Sequence, residues 1–273
     1  MPVTRFAPSP TGLLHVGHAY SSMFSMRAGD HFLLRIEDID QTRCLPEYTA
    51  AIFEDLSWIE LEWEEPVRVQ SEHLEEFRAV ASDLYEQGLI YPCFCSRSDV
   101  IRENLATGPD GPIYPGTCRS LSKQEREERM QSGEEFAMRL DMAEALRRTG
   151  KLTWHDRHAG EQQAQPELFG DVVIVRKHSP TSYHLSVVLD DAKQGIDLVT
   201  RGTDLFEATH VHRVLQELLD LPMPEYWHHG LLLDETGKRM SKRDGSTSIR
   251  SYRERGFSPE QLFEQFQHLS FPG

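Results

Sequence analysis

The chain lacks the sequence features of membrane and secreted proteins. Its 273 residues include no apolar run long enough to cross a bilayer. Met1 leads almost directly into a strand-like segment, without the basic and hydrophobic leader of a secretory signal. Only four cysteines are present, so reduced thiols or a metal site are expected rather than disulfides. These absences favour a cytoplasmic protein with no membrane partner.

Positive charge is also scarce. The formal net charge is −15 at pH 7, which argues superficially against a nucleic-acid partner. Basic residues nevertheless cluster in the segment 238–255, and binding a phosphate backbone needs only one local basic face. The charge balance therefore allows a nucleic-acid partner without establishing one.

Strand-like and helix-like segments alternate along much of the chain. The apolar residues Ile52, Phe53, Leu56 and Ile59, for example, follow the period of a helix. This alternation predicts a Rossmann-like parallel sheet, and the chain is long enough for one large core plus a small module. The predicted strands are 3–7, 31–36, 171–175, 197–200 and 230–233, and the predicted helices are 18–27, 47–61, 71–87, 122–131 and 183–190.

Two histidines close the segment FAPSPTGLLHVGH near the N-terminus. His15 and His18 flank Gly17 where a strand passes into a helix, and Gly17 has no Cβ to obstruct a nucleotide. Free N–H groups at the helix start could bind an anion, and the histidines could donate hydrogen bonds to phosphoryl oxygens. Taken alone, the segment could equally well be a strand, a loop and a helix whose two histidines have no role in nucleotide binding. The preceding PSPTG favours nucleotide binding.

A second candidate nucleotide-binding segment, GKRMSKRDG, lies near the C-terminus. A mobile loop that brings Lys242 onto the leaving phosphates only in the transition state would raise the rate. Taken alone, the segment is more typical of a solvated basic loop. Its combination with the first segment favours ATP chemistry.

The two segments resemble the HIGH and KMSKS signatures of class I aminoacyl-tRNA synthetases. Four stretches, TRFAPSPTGLLHVGHA, LLRIEDIDQTR, LVTRGTDL and KRMSKRDG, resemble the bacterial glutamyl branch of that family. The resemblance implies activation of L-glutamate by ATP with Mg²⁺, giving glutamyl-adenylate and pyrophosphate. It implies that His15, His18 and Lys242 are catalytic. The implied ATP-binding residues are Thr11, His15, Gly17, His18, Ser241 and Lys242.

One residue departs from the family pattern. Arg239 stands where the family has the first lysine of its KMSKS signature. A guanidinium does not replace an ammonium group exactly in shape or hydration. Because Lys238 lies beside it and Lys242 is kept, we expect at most an effect on rate.

Glutamate carries two carboxylates and one ammonium group, so its pocket needs two cations and one anion. The resemblance implies that Arg5 and Arg201 supply the cations, that Glu37 pairs with the α-amino group, and that Ser9 and Tyr183 contact the amino acid. Each residue has another explanation. Arg5 and Glu37 could form a structural salt bridge, Tyr183 could be a core aromatic, and Arg201 could be a surface charge at a strand end. Together, in family order, they favour a glutamate pocket.

Three cysteines interrupt the alternation of strands and helices; they are Cys93, Cys95 and Cys118. Three thiolates suit a structural zinc site, which takes four tetrahedral ligands. The resemblance implies Tyr114 as the fourth ligand, in a YxxxC arrangement, with Asp99 and Asp110 as competing candidates. Three buried free cysteines remain an alternative. We predict one structural Zn²⁺.

The resemblance implies an α/β fold in which a Rossmann-like parallel-sheet catalytic domain carries an inserted zinc-containing α+β subdomain and a short helical C-terminal region. The insertion corresponds to the acceptor-binding region of the family. No anticodon-binding domain is expected, because the chain ends soon after Arg243. The predicted parts are 1–89, the first half of the catalytic domain; 90–168, the insertion; 169–233, the second half; and 234–273, the KMSKS-like loop and helical end.

The short C-terminal region resembles a truncated paralogous branch of the glutamyl enzymes. This likeness implies that queuosine, in the anticodon of tRNA(Asp), accepts the glutamyl group. Because the implied contacts to glutamate and ATP all lie within this chain, we expect the adenylate to form without tRNA. We expect a monomer. Three alternatives remain open: a catalytic core that charges a tRNA 3′ terminus with glutamate, a ligase that joins an activated acid to a small amine, and a non-catalytic tRNA-binding paralogue.

Overall fold

The computed structural model describes residues 2–103, 106–232 and 248–266, together with Leu269 and Phe271. The strands are β1 (Val3–Phe6), β2 (His31–Ile36), β3 (Glu64–Val69), β4 (Ile90–Cys93), β5 (Thr107–Gly108), β6 (Gly111–Pro112), β7 (Ala137–Leu140), β8 (Thr153–Asp156), β9 (Gly160–Gln163), β10 (Val173–Val175), β11 (Leu198–Gly202) and β12 (Glu225–His229). The helices are α1 (Val16–Ala28), α2 (Pro46–Trp58), α3 (Leu74–Glu86), α4 (Arg97–Glu103), α5 (Lys123–Gln131), α6 (Met142–Thr149), α7 (Tyr183–Lys193), α8 (Ala208–Leu218), α9 (Ile249–Glu254) and α10 (Pro259–Phe263).

Two groups of parallel strands adjoin at β1 and β11. The first group has the order β1-β2-β3, and the second has the order β11-β12-β8 with β9 antiparallel at its edge. The backbone N–H of Asp197, just before β11, donates to the carbonyl oxygen of Val3 at 3.3 Å. The backbone N–H of Val3 donates to Asp197 Oδ1 at 2.7 Å. The predicted α/β fold with a parallel sheet is confirmed.

A smaller antiparallel sheet has the order β10-β7-β4. Hydrogen bonding therefore crosses the predicted boundaries in two places. β8 and β9 fall within 90–168 but join β12, and β10 falls within 169–233 but joins β7. We retain the four predicted parts as a proposal about how the sequence is divided along the chain, and not as separate folding units.

The helix α1 begins with both histidines of the first nucleotide-binding segment. His15 Nδ1 accepts a hydrogen bond from the backbone N–H of Gly17, and His18 Nδ1 accepts one from the backbone N–H of His15, each at 3.1 Å. The two imidazoles thus satisfy N–H groups that a helix start leaves without partners. Val16 and Tyr20 anchor the helix in the same core as Leu34 of β2. Burial of each such side chain contributes roughly 1.5–3 kcal/mol.

One predicted strand is wrong. The segment 230–233 was expected to be extended, but the strand is β12, which ends at His229, and residues 230–232 form no regular structure. The sequence of β12, EYWHH, has no apolar run, although parallel strands buried on both faces usually do. His228 and His229 are nevertheless buried, and both make hydrogen bonds.

The remaining predicted elements are present with shifted ends. Helix 71–87, for example, is a short 3₁₀ turn followed by α3. The helices α9 and α10 confirm helical structure near the C-terminus, whereas most of the KMSKS-like loop lies outside the described residues. In the part of the chain that the structure covers, no helix has both the length and the apolar character needed to span a membrane.

Candidate active site

A cavity of about 590 Å³ opens where β1, β11 and β12 end and α1 and α7 begin. This edge of a parallel sheet is where α/β folds usually bind ligands. The cavity wall contains every predicted substrate and nucleotide residue that the structure describes. These are Arg5, Ser9, Thr11, His15, Gly17, His18, Glu37, Tyr183 and Arg201. Ser241 and Lys242 lie outside the described residues.

The two histidines of α1 lie against each other at the cavity wall. Their ring centroids are 3.8 Å apart, with an angle of 36° between the ring planes. A Cβ on Gly17 would lie 3.0 Å from His15 Cε1, which is closer than a side chain tolerates without a shift of the imidazole. Glycine at this position therefore permits the imidazole to pack over the helix start.

Arg5 pairs with an aspartate that sequence reasoning did not select. Its guanidinium donates to both carboxylate oxygens of Asp191, at 2.8 and 3.1 Å, and to the carbonyl oxygen of Thr200 at 3.1 Å. Glu37 accepts instead from Arg35, at 3.2 and 3.3 Å. The Arg5–Glu37 salt bridge that the sequence left open is therefore not formed in the structure.

Arg5 and Glu37 belong to one buried charge cluster with three cations and three anions. Burial raises the pKa of Glu37, against the opposing effect of Arg35 and Arg5. Burial also disfavours ionised Asp191, but Arg5 and Arg35 outweigh it and lower the pKa of that carboxyl. An added cation would therefore most benefit Glu37. The members of the cluster are Arg5, Arg35, Arg68, Glu37, Asp190 and Asp191.

Arg201, by contrast, is held by neutral groups. Only 5% of the residue is exposed, so it is not a surface charge. Its guanidinium donates to His228 Nε2 at 3.1 Å, to His212 Nδ1 at 3.2 Å, to Thr209 Oγ1 at 2.7 Å and to Tyr183 Oη at 3.3 Å. No carboxylate of the described chain forms an ion pair with it. A buried cation without an anionic partner favours the binding of an anion.

Both histidines beside Arg201 are neutral at pH 7. Burial lowers the pKa of His228 to about 4 and lowers that of His212 well below its usual value. The nearby charge of Arg201 acts in the same direction on each. Neither imidazole therefore competes with Arg201 as a cation, and neither cancels its charge.

Sequence reasoning missed Asp191, although a signal was present. Tyr183 is the first residue of α7, and Asp191 lies about two turns further along the same helix, on a similar face. Both residues occur in TSYHLSVVLDD, the stretch that supplied Tyr183 as a candidate. His212 and His228 had no comparable signal, because neither lies in a stretch that carries the family resemblance.

The three predicted cysteine ligands lie together. The sulfur atoms of Cys93, Cys95 and Cys118 are all within 4.8 Å of one another, and the Cys95–Cys118 Sγ distance is 3.6 Å. Tyr114 Oη is 3.6 Å from Cys95 Sγ and accepts the backbone N–H of Cys118 at 2.7 Å. A hydrogen bond with the Cys93 thiol lowers the pKa of Cys118, which favours a thiolate there. The same hydrogen bond raises the pKa of Cys93, and burial raises the pKa values of Cys95 and Tyr114, so these three groups favour their protonated forms in the absence of a metal.

The two competing carboxylates are engaged elsewhere. Asp99 accepts hydrogen bonds from the backbone N–H and hydroxyl of Ser96, at 2.9 and 2.7 Å. Asp110 Oδ2 lies 3.4 Å from His184 Nε2. Neither belongs to the cysteine cluster in the described residues.

A second cavity, of about 840 Å³, adjoins the first. The two share Tyr183, Asp204 and Leu205 in their walls. The second cavity extends to Cys95 and Tyr114, so it links the first cavity to the cysteine cluster.

Comparison with known proteins gives a consistent pattern. The family model for tRNA synthetases class I (E and Q), catalytic domain, matches residues 2–272. The chain is similar to the Glutamyl-Q tRNA(Asp) synthetase of Rhodobacter capsulatus, with 46% identity over 95% of this chain and 98% of that protein. It is 38% identical to the glutamate–tRNA ligase of a Hydrogenobaculum species, over 95% of this chain but only 56% of that protein.

A solved structure shows the same similarity. The structure of a glutamate tRNA ligase from Elizabethkingia meningosepticum, in complex with its amino acid, superposes with a TM-score of 0.77 at 25% identity. The match covers 96% of this chain and 59% of the ligase. The chain thus spans somewhat more than half the length of the glutamate–tRNA ligases that it matches.

Proposed function

The chain belongs to the family of class I tRNA synthetases (E and Q), catalytic domain, and we propose from this membership that it activates L-glutamate with ATP and transfers the glutamyl group to queuosine in the anticodon of tRNA(Asp). The protein is an aminoacyl-tRNA-synthetase-like ligase. The similarity to the Rhodobacter capsulatus protein, which extends over nearly the full length of both chains, supports the choice of queuosine as acceptor. The proposed substrates, ATP and tRNA, are those of a cytoplasmic reaction.

The charge pattern of the first cavity is the observation on which this proposal depends. Arg201 supplies a buried cation that forms no ion pair with a carboxylate of the described residues, and Glu37 supplies a carboxylate whose ionised form needs a further cation. Arg5 adds a second cation in the same wall. Glutamate, with two carboxylates and one ammonium group, complements this arrangement.

The two carboxylates of glutamate have different fates in the reaction. The α-carboxylate attacks the α-phosphorus of ATP, pyrophosphate leaves, and the charge of that carboxylate is lost in the mixed anhydride. The side-chain carboxylate keeps its charge throughout. We therefore assign Arg201, whose charge is not paired with a carboxylate in the part of the chain that the structure describes, to the side-chain carboxylate.

Activation places developing negative charge on phosphoryl oxygens. His15 and His18 lie at the N-terminus of α1, where the helix dipole favours such charge. Because Nδ1 of each imidazole accepts a backbone N–H, the proton of each neutral ring is on Nε2, which is the donor. Mg²⁺ bound to ATP would neutralise part of the phosphate charge. Lys242 would add a cation from the KMSKS-like loop. A queuosine hydroxyl then attacks the activated carbonyl, AMP leaves, and an ester bond is formed.

The second cavity offers a route for the acceptor. It meets the first cavity at Tyr183, so a nucleoside that entered it would approach the amino acid from the side of the cysteine cluster. Its volume of about 840 Å³ is large enough for a nucleoside with part of its backbone. We assign the acceptor to this cavity.

The cysteine cluster fits a structural zinc ion. Tetrahedral zinc with sulfur ligands at about 2.3 Å sets the sulfur atoms about 3.8 Å apart, and the Cys95–Cys118 distance is 3.6 Å. We assign Cys93, Cys95, Cys118 and Tyr114 as the four ligands. The ion would tie the loop after β4 to the turn that contains Cys118.

The proposal is tested by transfer of radiolabelled glutamate, with ATP, onto total tRNA from cells that make queuosine and from cells that cannot. Label only on queuosine-containing tRNA is the expected result. Equal label on both preparations would indicate charging of a tRNA 3′ terminus. Absence of label on either, with glutamate activation intact, would mean that the acceptor is a different molecule.

A further inference from the structure

Arg201 is oriented by two histidines, and each histidine is itself oriented by a further group. On one side, Asp156 Oδ2 accepts from His228 Nδ1 at 2.7 Å and from the backbone N–H of His228 at 3.0 Å. The proton of His228 must therefore be on Nδ1, which leaves Nε2 as the acceptor for Arg201. Asp156 is only 1% exposed.

Asp156 is a fixed anion at the end of this chain of contacts. Burial opposes its ionisation, but hydrogen bonds from His228 and from the backbone N–H groups of Ala159 and His158 outweigh burial and lower its pKa to about 2. Its charge is separated from Arg201 by the whole imidazole. Asp156 thus sets the tautomer of His228 without pairing with the guanidinium.

On the other side of Arg201, His212 is arranged in the same way, but its contact to Arg201 is through Nδ1 and not through Nε2. His212 accepts from Arg201 through Nδ1, so its proton is on Nε2, which faces His184 Nδ1 at 3.3 Å. His184 Nε2 in turn faces Asp110 Oδ2 at 3.4 Å. Arg201 is therefore held between two neutral acceptors whose tautomers are fixed from behind.

We propose that His212 and His228 are positioning residues that determine amino-acid specificity, because they orient Arg201 without cancelling its charge and so reserve that charge for a side-chain carboxylate. This inference rests on the proposed function and deepens it. The same molecule supplies the contrast: Arg5 is oriented by the carboxylate of Asp191, which offsets its charge. A substrate amide, as in glutamine, would leave Arg201 buried without an anion.

Matched amide variants test the inference. The amide of asparagine occupies the place of Nδ1 in a histidine, and the amide of glutamine occupies the place of Nε2. At position 228 the contact to Arg201 is through Nε2, so His228→Gln can keep it and His228→Asn cannot. At position 212 the contact is through Nδ1, so His212→Asn can keep it and His212→Gln cannot.

We expect a crossed pattern in glutamate-dependent ATP–pyrophosphate exchange. His228→Asn and His212→Gln should raise KM for glutamate about tenfold or more, with a much smaller change in kcat, because each removes a hydrogen bond to a charged group. His228→Gln and His212→Asn should raise KM for glutamate several-fold less than the other two variants. The preference for glutamate over glutamine, measured as the ratio of their kcat/KM values, should fall only in His228→Asn and His212→Gln.

Equal effects of the two amides at both positions would mean a purely structural role and would overturn the inference. An unchanged glutamate-to-glutamine ratio in the first pair would overturn the specificity role. The KM for ATP reports whether a variant has lost its fold, and His155→Asn, at an exposed position of β8, is the matched control. Absence of glutamate-dependent exchange in the unmodified protein would instead contradict the proposed function itself.

Discussion

Two buried arginines in the candidate active site are balanced in different ways. Arg5 shares Asp191 with Arg35 in a cluster of equal charges. Arg201 contacts only neutral side chains within the described structure. Both geometries can bind a carboxylate, but removal of each arginine has a different consequence for stability.

We expect Arg5→Ala and Arg201→Ala each to reduce glutamate-dependent exchange by about 100-fold or more, because each removes a cation that faces the substrate. Arg5→Ala should also lower the free energy of unfolding by about 2–4 kcal/mol, since it leaves Asp191 with one cation fewer. Arg201→Ala leaves no buried carboxylate unpaired and should destabilise less. Exchange assays and denaturant unfolding measure the two effects.

Arg147→Ala is the matched control for both variants, because this arginine of α6 has 70% of its side chain exposed. It should leave exchange and stability nearly unchanged. Near-normal activation in Arg5→Ala or Arg201→Ala would remove that arginine from the substrate pocket.

At the scale of elements, sequence pattern predicted the helices better than the short strands. The helix α1 has a recognisable start, and β2 is an apolar run, so both lie where they were expected. The strands β8 and β12 contain TWHD and EYWHH, in which polar residues occupy buried positions. Their burial depends on partners far along the chain, such as Asp156 for His228, and no local pattern reveals such partners.

The contact between α2 and α9 contains a buried aspartate with an unfavourable environment. Asp55 of α2 is fully buried, and both of its carboxylate oxygens lack hydrogen-bond partners in the described residues. Arg253 of α9 approaches Asp55 Oδ1 only to 3.8 Å and pairs more closely with Glu54, at 3.0 Å. Burial raises the pKa of Asp55 to about 6.

Asp55→Asn should therefore stabilise the protein at neutral pH. Because the pKa is higher in the folded state than in the unfolded chain, the folded state binds the proton more tightly, and stability falls as pH rises from about 4 to about 6. The nearby positive charges of Arg253 and Arg250 partly stabilise the carboxylate and reduce the effect. We therefore expect Asp55→Asn to raise the free energy of unfolding by about 1 kcal/mol at pH 7–8 and to change it little near pH 4. Urea unfolding at several pH values measures it.

Asp83→Asn, at an exposed position of α3, is the control and should show no such pH dependence. If Asp55→Asn is less stable than the parent protein at pH 8, the unfavourable environment assigned to Asp55 is wrong.

The cysteine cluster lies between the last residue of β4 and the start of α5, and we expect the stability of this segment to depend on the proposed zinc ion. Metal analysis of purified protein should give one zinc per chain. Cys118→Ser should lose the ion and lower the unfolding temperature, because metal binding contributes directly to the stability of such a segment. Cys44→Ser, outside the cluster, should retain the zinc. Much less than one zinc per chain in the parent protein would refute the assignment.

At the scale of the whole molecule, the site was more predictable than the contacts that support it. Family resemblance selected Arg5, Glu37, Tyr183 and Arg201 from distant parts of the chain, and all four face one cavity. Their roles remain proposals. Two of the partners that set their charge, Arg35 and Asp191, lie in stretches that the resemblance includes, but their pairing depends on packing between elements, which the sequence does not show.

The same cavity gathers the residues proposed for glutamate and those proposed for ATP. His15 and His18 share its wall with Arg5 and Arg201, and all of them belong to a single chain. Because every contact proposed for glutamate and ATP is assigned to residues of this chain, we predict that formation of glutamyl-adenylate does not require tRNA. The central claim is therefore that glutamate is activated in this cavity alone and that tRNA takes part only as the acceptor of the glutamyl group.

Exchange of radiolabelled pyrophosphate into ATP, with glutamate and with no tRNA present, tests this claim most directly. We predict glutamate-dependent exchange that is lost when glutamate is omitted and is much weaker with glutamine. Exchange that strictly required added tRNA would contradict the account, because the cavity would then be incomplete without it.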